Sequence, residues 1–192
     1  MKKYLVFLLA AIMLLTLAAC TPKKPANEDN IIVENPKDGG ENTDNDDVVD
    51  PSPKTESKEV TLYFANKKYV EIGDENLEKL ITEKRLIEYG DISIEESIVR
   101  ELMKGPENTE ELSSPFPATA KLLGVEVADG TAFVNFASEG MYGGSLQEYF
   151  TIDQIVSSLI ELDNIDRVQF LIDGKKAETL MGHFSIDEPF EK

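Results

Sequence analysis

The chain contains very few of the residues from which catalytic and metal sites are most often built. Its 192 residues include one cysteine, Cys20, and one histidine, His183. A metal cluster of histidine and cysteine ligands cannot be assembled from so few. A Ser-His-Asp triad would depend on His183 alone, and a lone histidine in a loop is more often structural than catalytic. The sequence therefore predicts a protein with no enzymatic activity, no metal and no cofactor.

Two short segments begin like functional motifs but lack a required residue. Gly143 to Gln147 starts like a nucleophile elbow without the final glycine, so Ser145 is better interpreted as a helix cap. A calcium loop starting at Asp44 would need a turn glycine at position six and a glutamate at position twelve. Val49 and Thr55 stand there instead, and a solvated acidic run is the better interpretation.

Positive charge is also scarce. Lysine and arginine number 19 against 37 aspartates and glutamates, which gives a formal net charge of −18. From residue 59 onward the chain holds 27 acidic and 12 basic residues, a net charge of −15. Such a field repels nucleic acid and anionic lipid, whereas a cationic patch on a partner protein would be attracted. We therefore expect no nucleic-acid partner.

The N-terminus has the pattern of a bacterial lipoprotein signal. Met1-Lys2-Lys3 supplies positive charge, and the apolar run from Tyr4 to Ala19 is 16 residues long, shorter than the ~20 that a spanning helix needs. Leu17-Ala18-Ala19-Cys20 resembles the lipoprotein signal box, in which the cysteine thiol takes a diacylglyceryl group. The alternative is a buried or free thiol beside an ordinary cleavage site. The first interpretation predicts a signal peptide over residues 1–19 and a protein anchored by lipid on Cys20 to the outer face of the cell membrane.

Residues 20–58 are predicted to be the lipidated cysteine and a disordered tether. Five prolines break regular structure in this segment, and acidic residues, asparagine and glycine fill most of the rest. Apart from two short aliphatic runs there is little to bury, so the segment cannot offset the entropy of ordering. The tether would hold the following domain away from the lipid.

Alternating and periodic patterns begin near residue 59 and predict one domain over residues 59–192. Val60 to Phe64 is predicted to be a strand, with a short strand continuation over Tyr69 to Ile72. Residues 76–85 fit a helix or a strand. Ser93 and Glu96 form a capping box that predicts the start of a helix, which ends at Gly105-Pro106.

The second half of the domain contains a hairpin, a helix and a buried strand. Asp129-Gly130 predicts a tight turn between strands at 122–127 and 131–136. Ser145 and Glu148 form a second capping box, heading a helix from Leu146 to about Leu162. Its apolar residues recur at spacings of three and four and predict one buried stripe, formed by Tyr149, Ile152, Ile155, Val156, Leu159 and Leu162. A strand follows at 168–172, and residues 182–192 fit a trailing loop or a short final strand. The order predicts an α+β fold: a single compact domain with a mixed sheet and two helices on one face.

Several of these segments together resemble the GerMN domain of bacterial sporulation and germination proteins. The resemblance is carried by Val60 to Phe64, Glu101 to Pro106, Pro117 to Phe136 and Arg167 to Gly174. It implies a fold similar to ring-building motifs, membership in a family rich in envelope lipoproteins, and a role in protein assembly during sporulation or germination. The family brings no accepted catalytic residues to carry over.

Two functions of different class are compatible with the sequence. The first is a non-enzymatic assembly module, in which an uncovered strand such as Val60 to Phe64 pairs with a neighbouring envelope protein or a second copy. The second is a tethered module that binds peptidoglycan or another ligand in a cleft formed by Tyr142-Gly143-Gly144, Tyr149 and Phe150. No binding residue is assigned by the sequence itself.

Overall fold

The computed structural model describes residues 55–192, which form two sheets and three helices. The elements are β1 (Glu56–Asn66), α1 (Lys67–Ile72), β2 (Leu80–Tyr89), α2 (Ile94–Lys104), β3 (Leu112–Ser113), β4 (Leu122–Ala128), β5 (Thr131–Phe136), α3 (Ser145–Ile160), β6 (Arg167–Ile172) and β7 (Phe190–Glu191). The α+β class and the single domain are confirmed. The expected arrangement of one sheet with two helices is corrected, because the strands divide between two sheets and a third helix is present.

The first sheet is antiparallel, with the strand order β2-β1-β3. Alternate residues of β1 point into the core, and Leu62 and Phe64 are fully buried there. β1 lies between β2 and β3, but β3 pairs with it only at Ala65 and Asn66. Along Val60 to Phe64 no strand within residues 55–192 pairs on the side away from β2, in agreement with the prediction, but α3 lies there, and the Tyr63 N–H donates to Ser158 Oγ at 3.0 Å. β2 occupies the edge, paired with β1 from Glu56 opposite Tyr89 to Ala65 opposite Leu80.

Residues 67–72 form helix α1 where a strand continuation was predicted. The side chain of Asn66 caps the helix, because its Oδ1 accepts from the backbone N–H groups of Lys68 at 3.1 Å and Tyr69 at 3.4 Å. Gly73 ends the helix in the left-handed conformation, at φ 66°. These local caps at both ends outweigh the preference of Tyr69 and Val70 for a strand.

The ambiguous segment 76–85 resolves into a loop followed by the start of β2 at Leu80. The choice is tertiary, because β2 gains a ten-residue antiparallel ladder with β1 that a helix could not form. Inward residues of β2 are more buried than outward ones, and Ile87 is the most buried of them.

The second sheet is mixed, with the order β4-β5-β6-β7. The predicted hairpin is confirmed: β4 and β5 are antiparallel, and Asp129 at φ 49° and Gly130 at φ 71° supply the two positive φ angles of a tight turn. β5 and β6 run parallel, joined by the crossover through α3. The chain ends in the short strand β7.

The predicted capping of the two longer helices is half right. Ser93 Oγ accepts from the Glu96 N–H at 3.1 Å and caps α2. At α3 the N-cap is Gly144, with no side-chain cap, and Ser145 lies inside the first turn, so the prediction of a Ser145–Glu148 capping box is wrong. Glu148 is instead fully buried, and its carboxylate accepts hydrogen bonds from backbone N–H groups of residues 180–183.

One apolar cluster joins both sheets to α2 and α3. Its fully buried members include Leu62, Phe64, Ile98, Leu102, Val134, Phe136, Ile155, Leu159, Val168 and Phe170. The predicted stripe of α3 is confirmed at Ile152, Ile155 and Leu159, whereas Tyr149 and Val156 lie at its border and stay partly exposed. None of the helices in residues 55–192 is long and apolar enough to cross a membrane.

Candidate interaction sites

A buried carboxylate fixes the segment that connects β6 to β7. The Glu148 side chain is 0 % exposed and accepts from the backbone N–H groups of Leu180 at 2.9 Å, Met181 at 2.6 Å and His183 at 2.7 Å. Hydrogen bonds to an ionised carboxylate are among the stronger ones in proteins. Glu148 therefore clasps residues 180–183 against the first turn of α3.

The clasp places Phe184 beside α3 and creates a groove of about 250 Å³. The ring of Phe184 lies 6.0 Å from the ring of Tyr149, measured between centroids. The groove is lined by Tyr149, Ile152, Asp153, Val156, Phe184, Ser185 and Phe190. Three aromatic and two aliphatic side chains thus surround a single carboxylate.

That carboxylate, Asp153, lies one turn beyond Tyr149 on α3 and is partly buried. Desolvation raises the pKa of Asp153 above its usual range, and the hydroxyl of Tyr149 and the ammonium of Lys79 lower it by less. Within residues 55–192, no ion pair of 4.0 Å or shorter includes Asp153. The charge of this group is therefore poorly compensated in the folded domain.

The ammonium of Lys79 lies near Tyr149 of α3, but it contacts aromatic rings and another carboxylate rather than Asp153. Its Nζ lies 5.4 Å from the ring centroid of Tyr69 and 5.6 Å from that of Tyr149. It also pairs with the Glu75 carboxylate at 3.4 Å. This lysine is held over two aromatic faces by cation–π attraction, which leaves Asp153 without a direct cationic contact.

The cleft expected from the sequence does not form as predicted. Tyr149 lines the groove, but Phe150 is fully buried, with its ring packed edge-on against those of Tyr69 and Tyr149. Tyr142 is 66 % exposed and does not line the groove. His183 is exposed, and its Nε2 lies 3.2 Å from the Gly143 carbonyl oxygen, in the position of a loop residue.

The outer edge of β2 is a second candidate site. Its ten residues pair with β1 on one side only. Along residues 81–88 the described part of the chain forms no other backbone ladder. Thr82, Lys84, Leu86 and Glu88 are exposed on the outward face, and Leu86 is 68 % exposed. The sequence could have suggested this strand from its alternation, but its position at the edge depends on the pairing of the whole sheet.

The inward face of β2 carries a cluster of charged side chains with a structural role. The Arg85 guanidinium is 10 % exposed, contacts the carboxylate of Glu83, donates to Glu101 at 2.9 Å and lies 5.6 Å from the Phe64 ring centroid. Desolvation raises the pKa of Glu83 and of Glu101, but hydrogen bonds outweigh it. Glu83 accepts hydrogen bonds from Arg85 and from the backbone N–H groups of Asn108 and Glu107, and its pKa lies below the usual range. Glu101 accepts hydrogen bonds from Lys104 and Arg85, and its pKa is lowered in the same way. The cluster ties β2 to the end of α2.

Other predicted features lie outside the residues that the structure describes. These are the signal over residues 1–19, the lipidation site Cys20, and the part of the predicted tether (residues 20–58) that ends at Lys54. They stay predictions. Among residues 55–192 there is no group of three or more histidine, cysteine, aspartate or glutamate side chains arranged to hold a metal ion.

Comparison with solved structures identifies similar folds. The tandem GerMN domains of the sporulation protein GerM from Bacillus subtilis share 19% identity, with 71% of this chain and 46% of that chain covered and a TM-score of 0.55. The first GerMN domain of GerM alone shares 17% identity over 70% of this chain and 98% of that chain, with a TM-score of 0.56. This chain thus spans about half of the tandem structure and nearly all of the single domain.

A crystal structure of a Clostridium perfringens protein, provisionally described as a lipoprotein, shares 23% identity over 71% of this chain and 88% of that chain, with a TM-score of 0.46. Among curated proteins the sequence has no match. The family model described as "Germane: Sporulation and spore germination" matches residues 61–178, which include both longer helices, most of β1 and all of β2 to β6. The chain therefore belongs to this sporulation and germination family and carries a domain of the GerMN type.

Proposed function

We propose that the protein is a non-enzymatic envelope lipoprotein whose GerMN-type domain mediates protein assembly by adding a strand to the outer edge of β2. The partner strand belongs to a second copy or to another envelope protein. The family supplies the context of sporulation and germination. The observation that carries the proposal is the ten-residue edge of β2, paired on one side only.

An edge strand offers a row of backbone donors and acceptors to a neighbouring chain. β2 is long enough for such a contact, since a partner could pair along most of its ten residues. The exposed side chain of Leu86 adds apolar contact at the middle of the outward face. By contrast, β3 has two residues, and the edges of the second sheet are the two-residue β7 and the seven-residue β4, whose ladder is irregular between Leu122 and Gly124.

The charges on β2 favour a specific partner over general aggregation. β2 carries Lys84 on its outward face and Glu83 and Arg85 on its inward face. These charges raise the free energy of pairing with an arbitrary apolar strand. A matching strand would have to place opposite charges beside Lys84 and Glu88. This requirement supports recognition of one partner.

The anchoring part of the proposal rests on the N-terminal sequence. Acylation of Cys20 would hold the protein at the outer face of the cell membrane, and residues 21–54 would let the domain reach its partner. The wall-binding alternative keeps the same anchor but replaces the protein partner with peptidoglycan.

A cysteine scan in intact cells tests the assembly proposal. Thr82, Lys84, Leu86 and Glu88 are replaced one at a time by cysteine in the full-length protein, and an oxidant is added. In a symmetric pair of β2 strands the residue nearest the two-fold axis faces its own copy, so one position should give the highest dimer yield. A different partner would instead appear as one protein recovered after chemical cross-linking and identified by mass spectrometry.

Lys175→Cys provides the matched control, because Lys175 is exposed just after β6 in the second sheet, whereas β2 belongs to the first. Where the best cysteine is at position 82, 84 or 88, Leu86→Lys on that background should lower the yield, since a charge replaces the apolar contact. The proposal fails if the four β2 positions cross-link no better than the control and the protein is recovered without a partner. Recovery on wall fragments alone would favour the peptidoglycan alternative.

A further inference from the structure

The groove beside α3 differs in character from the edge of β2. It is narrow, about 250 Å³, and its walls are the aromatic rings of Tyr149, Phe184 and Phe190. Ile152 and Val156 add aliphatic surface, so a long apolar stem would lose water contact inside it. One carboxylate, that of Asp153, lies in this apolar lining.

Asp153 lines the groove, where the cation of a ligand could form an ion pair with it. None of the ion pairs within residues 55–192 includes it. Lys79 is occupied by the rings of Tyr69 and Tyr149 and by Glu75. A carboxylate in an apolar groove is costly to desolvate and gains most from a cation that enters with its own apolar stem.

Arginine has the chemistry that matches all of these surfaces. Its planar guanidinium stacks on aromatic faces and binds a carboxylate through two parallel N–H donors. The rings of Tyr149 and Phe184, with centroids 6.0 Å apart and planes inclined by 57°, present such faces beside Asp153. Ser185 offers its hydroxyl at the same groove, although that hydroxyl already donates to Asp187.

The charge of the domain selects the kind of partner. Residues 59–192 carry a net charge of −15, so a basic segment of another protein is attracted to the groove, whereas a second copy brings no net positive charge to it. We propose that the groove formed by Tyr149, Asp153 and Phe184 docks an arginine side chain from a basic segment of a different envelope protein. This site is separate from the β2 edge, and either can fail without the other.

Binding of two small probes tests the chemistry directly. The full-length protein, labelled with fluorotyrosine, is titrated with N-acetyl-arginine methyl ester and with N-acetyl-citrulline methyl ester, which has a similar shape and no charge. The arginine ester should shift the Tyr149 resonance and bind at least about tenfold more tightly, as expected for a charge-assisted contact. Asp153→Asn should remove that preference, and a thermal-unfolding measurement should show that the variant remains folded.

Asp163→Asn is the matched control, because Asp163 is an exposed carboxylate that follows α3 and does not line the groove. This variant should keep the preference for the arginine ester. The proposal is overturned if both esters bind equally, if neither binds, or if Asp153→Asn retains the preference. None of these results bears on the β2 edge.

The source of the arginine is tested in intact cells with a photo-reactive amino acid at position 156 of the full-length protein. The cross-linked peptide should come from another protein and contain an arginine, and Asp153→Asn should lower its yield at least about tenfold. Cross-links to wall stem peptides, or to the tether of this chain, would overturn the assignment to a protein partner. Loss of cross-linking in the Asp163→Asn control would also contradict it.

Discussion

Two partly buried carboxylate sites in this domain differ in how their charge is compensated. At the inward face of β2, Glu83 and Glu101 surround Arg85 and both have pKa values below the usual range. At the groove, Asp153 has aromatic neighbours, no ion pair within the described residues, and a pKa above the usual range. The charges of Glu83 and Glu101 are therefore used within the fold, whereas the charge of Asp153 remains available to a partner.

The physical basis of this contrast is desolvation. Burial disfavours the ionised form at all three carboxylates, and only a nearby cation or several N–H donors can reverse that effect. Arg85 supplies the cation for the first site, with the Glu107 and Asn108 amides as further donors to Glu83. The groove has no equivalent. A protein that keeps such a group usually does so for a function rather than for stability.

The largest expected effect comes from removing the cation of the compensated site. Arg85→Met keeps much of the side-chain volume over Phe64 but leaves Glu83 and Glu101 as neighbouring carboxylates without their shared partner. We expect a loss of about 3 kcal/mol in the free energy of unfolding, as for other broken buried ion pairs. Urea denaturation of the variant and wild type measures it.

Arg100→Ala is the control for that measurement. Arg100 pairs with Glu96 on the exposed side of α2, and such a helical pair contributes less than about 1 kcal/mol. Equal losses in the two variants would show that the Arg85 cluster behaves as a surface pair and would remove the contrast with Asp153.

A second variant tests whether a buried carboxylate can also be compensated by backbone groups alone. Glu148→Gln keeps the size of the side chain but replaces one acceptor oxygen with an amide that faces N–H donors. We expect a loss of about 2 kcal/mol. Amide hydrogen exchange should accelerate at Leu180, Met181 and His183 more than in the β4–β5 hairpin. Uniform acceleration throughout the domain would mean that Glu148 does not hold this segment specifically.

The stability of the domain should depend on pH through the carboxylates of the Arg85 cluster. Because the pKa values of Glu83 and Glu101 are lowered in the folded state, their stabilising contribution is fully present above the ordinary value of 4.5. It is lost as the pH falls through the lower folded values. Wild-type stability should therefore fall below pH 4.5, and the slope should be shallower in Arg85→Met. An unchanged slope would contradict the assignment of the cluster.

The smallest expected effect has the opposite sign. Asp153→Asn should raise the free energy of unfolding at neutral pH, by no more than about 1 kcal/mol, because it removes a charge that burial disfavours. The raised pKa means that this cost is present above the folded pKa and is gone below the ordinary value of 3.8, so the gain should vanish in acid. Destabilisation at neutral pH would indicate that Asp153 is compensated after all.

Features set by neighbouring residues were predictable from the sequence. The turn at Asp129-Gly130, the Ser93 cap of α2 and the apolar stripe of α3 each follow from residues a few positions apart. Where two local signals competed, the sequence was less informative. Asn66 and Gly73 formed the ends of a helix in a segment whose aromatic and β-branched residues favoured a strand.

Features that depend on distant parts of the chain were missed or reversed. Ser145 and Glu148 have the spacing of a capping box, but a fully buried Glu148 instead binds amides 32 to 35 residues further along. β1 was expected to offer an open strand, yet β2 pairs along most of one side and α3 lies against the other, where the Tyr63 N–H donates to Ser158 Oγ, so that the long open edge belongs to β2. The groove requires Phe184 to lie against Tyr149, which only that clasp arranges.

The family, the α+β class, the acidic surface and the main hydrophobic faces could be inferred from the amino-acid sequence, because each of these depends on composition or on spacing along one element. Three properties became visible only in the folded domain: which strand has an open edge, which carboxylates have partners and which aromatic rings line a groove. Those properties depend on the burial and compensation of groups far apart in the chain. The same residue type, a carboxylate, is therefore structural at Glu83, Glu101 and Glu148 and a candidate binding group at Asp153.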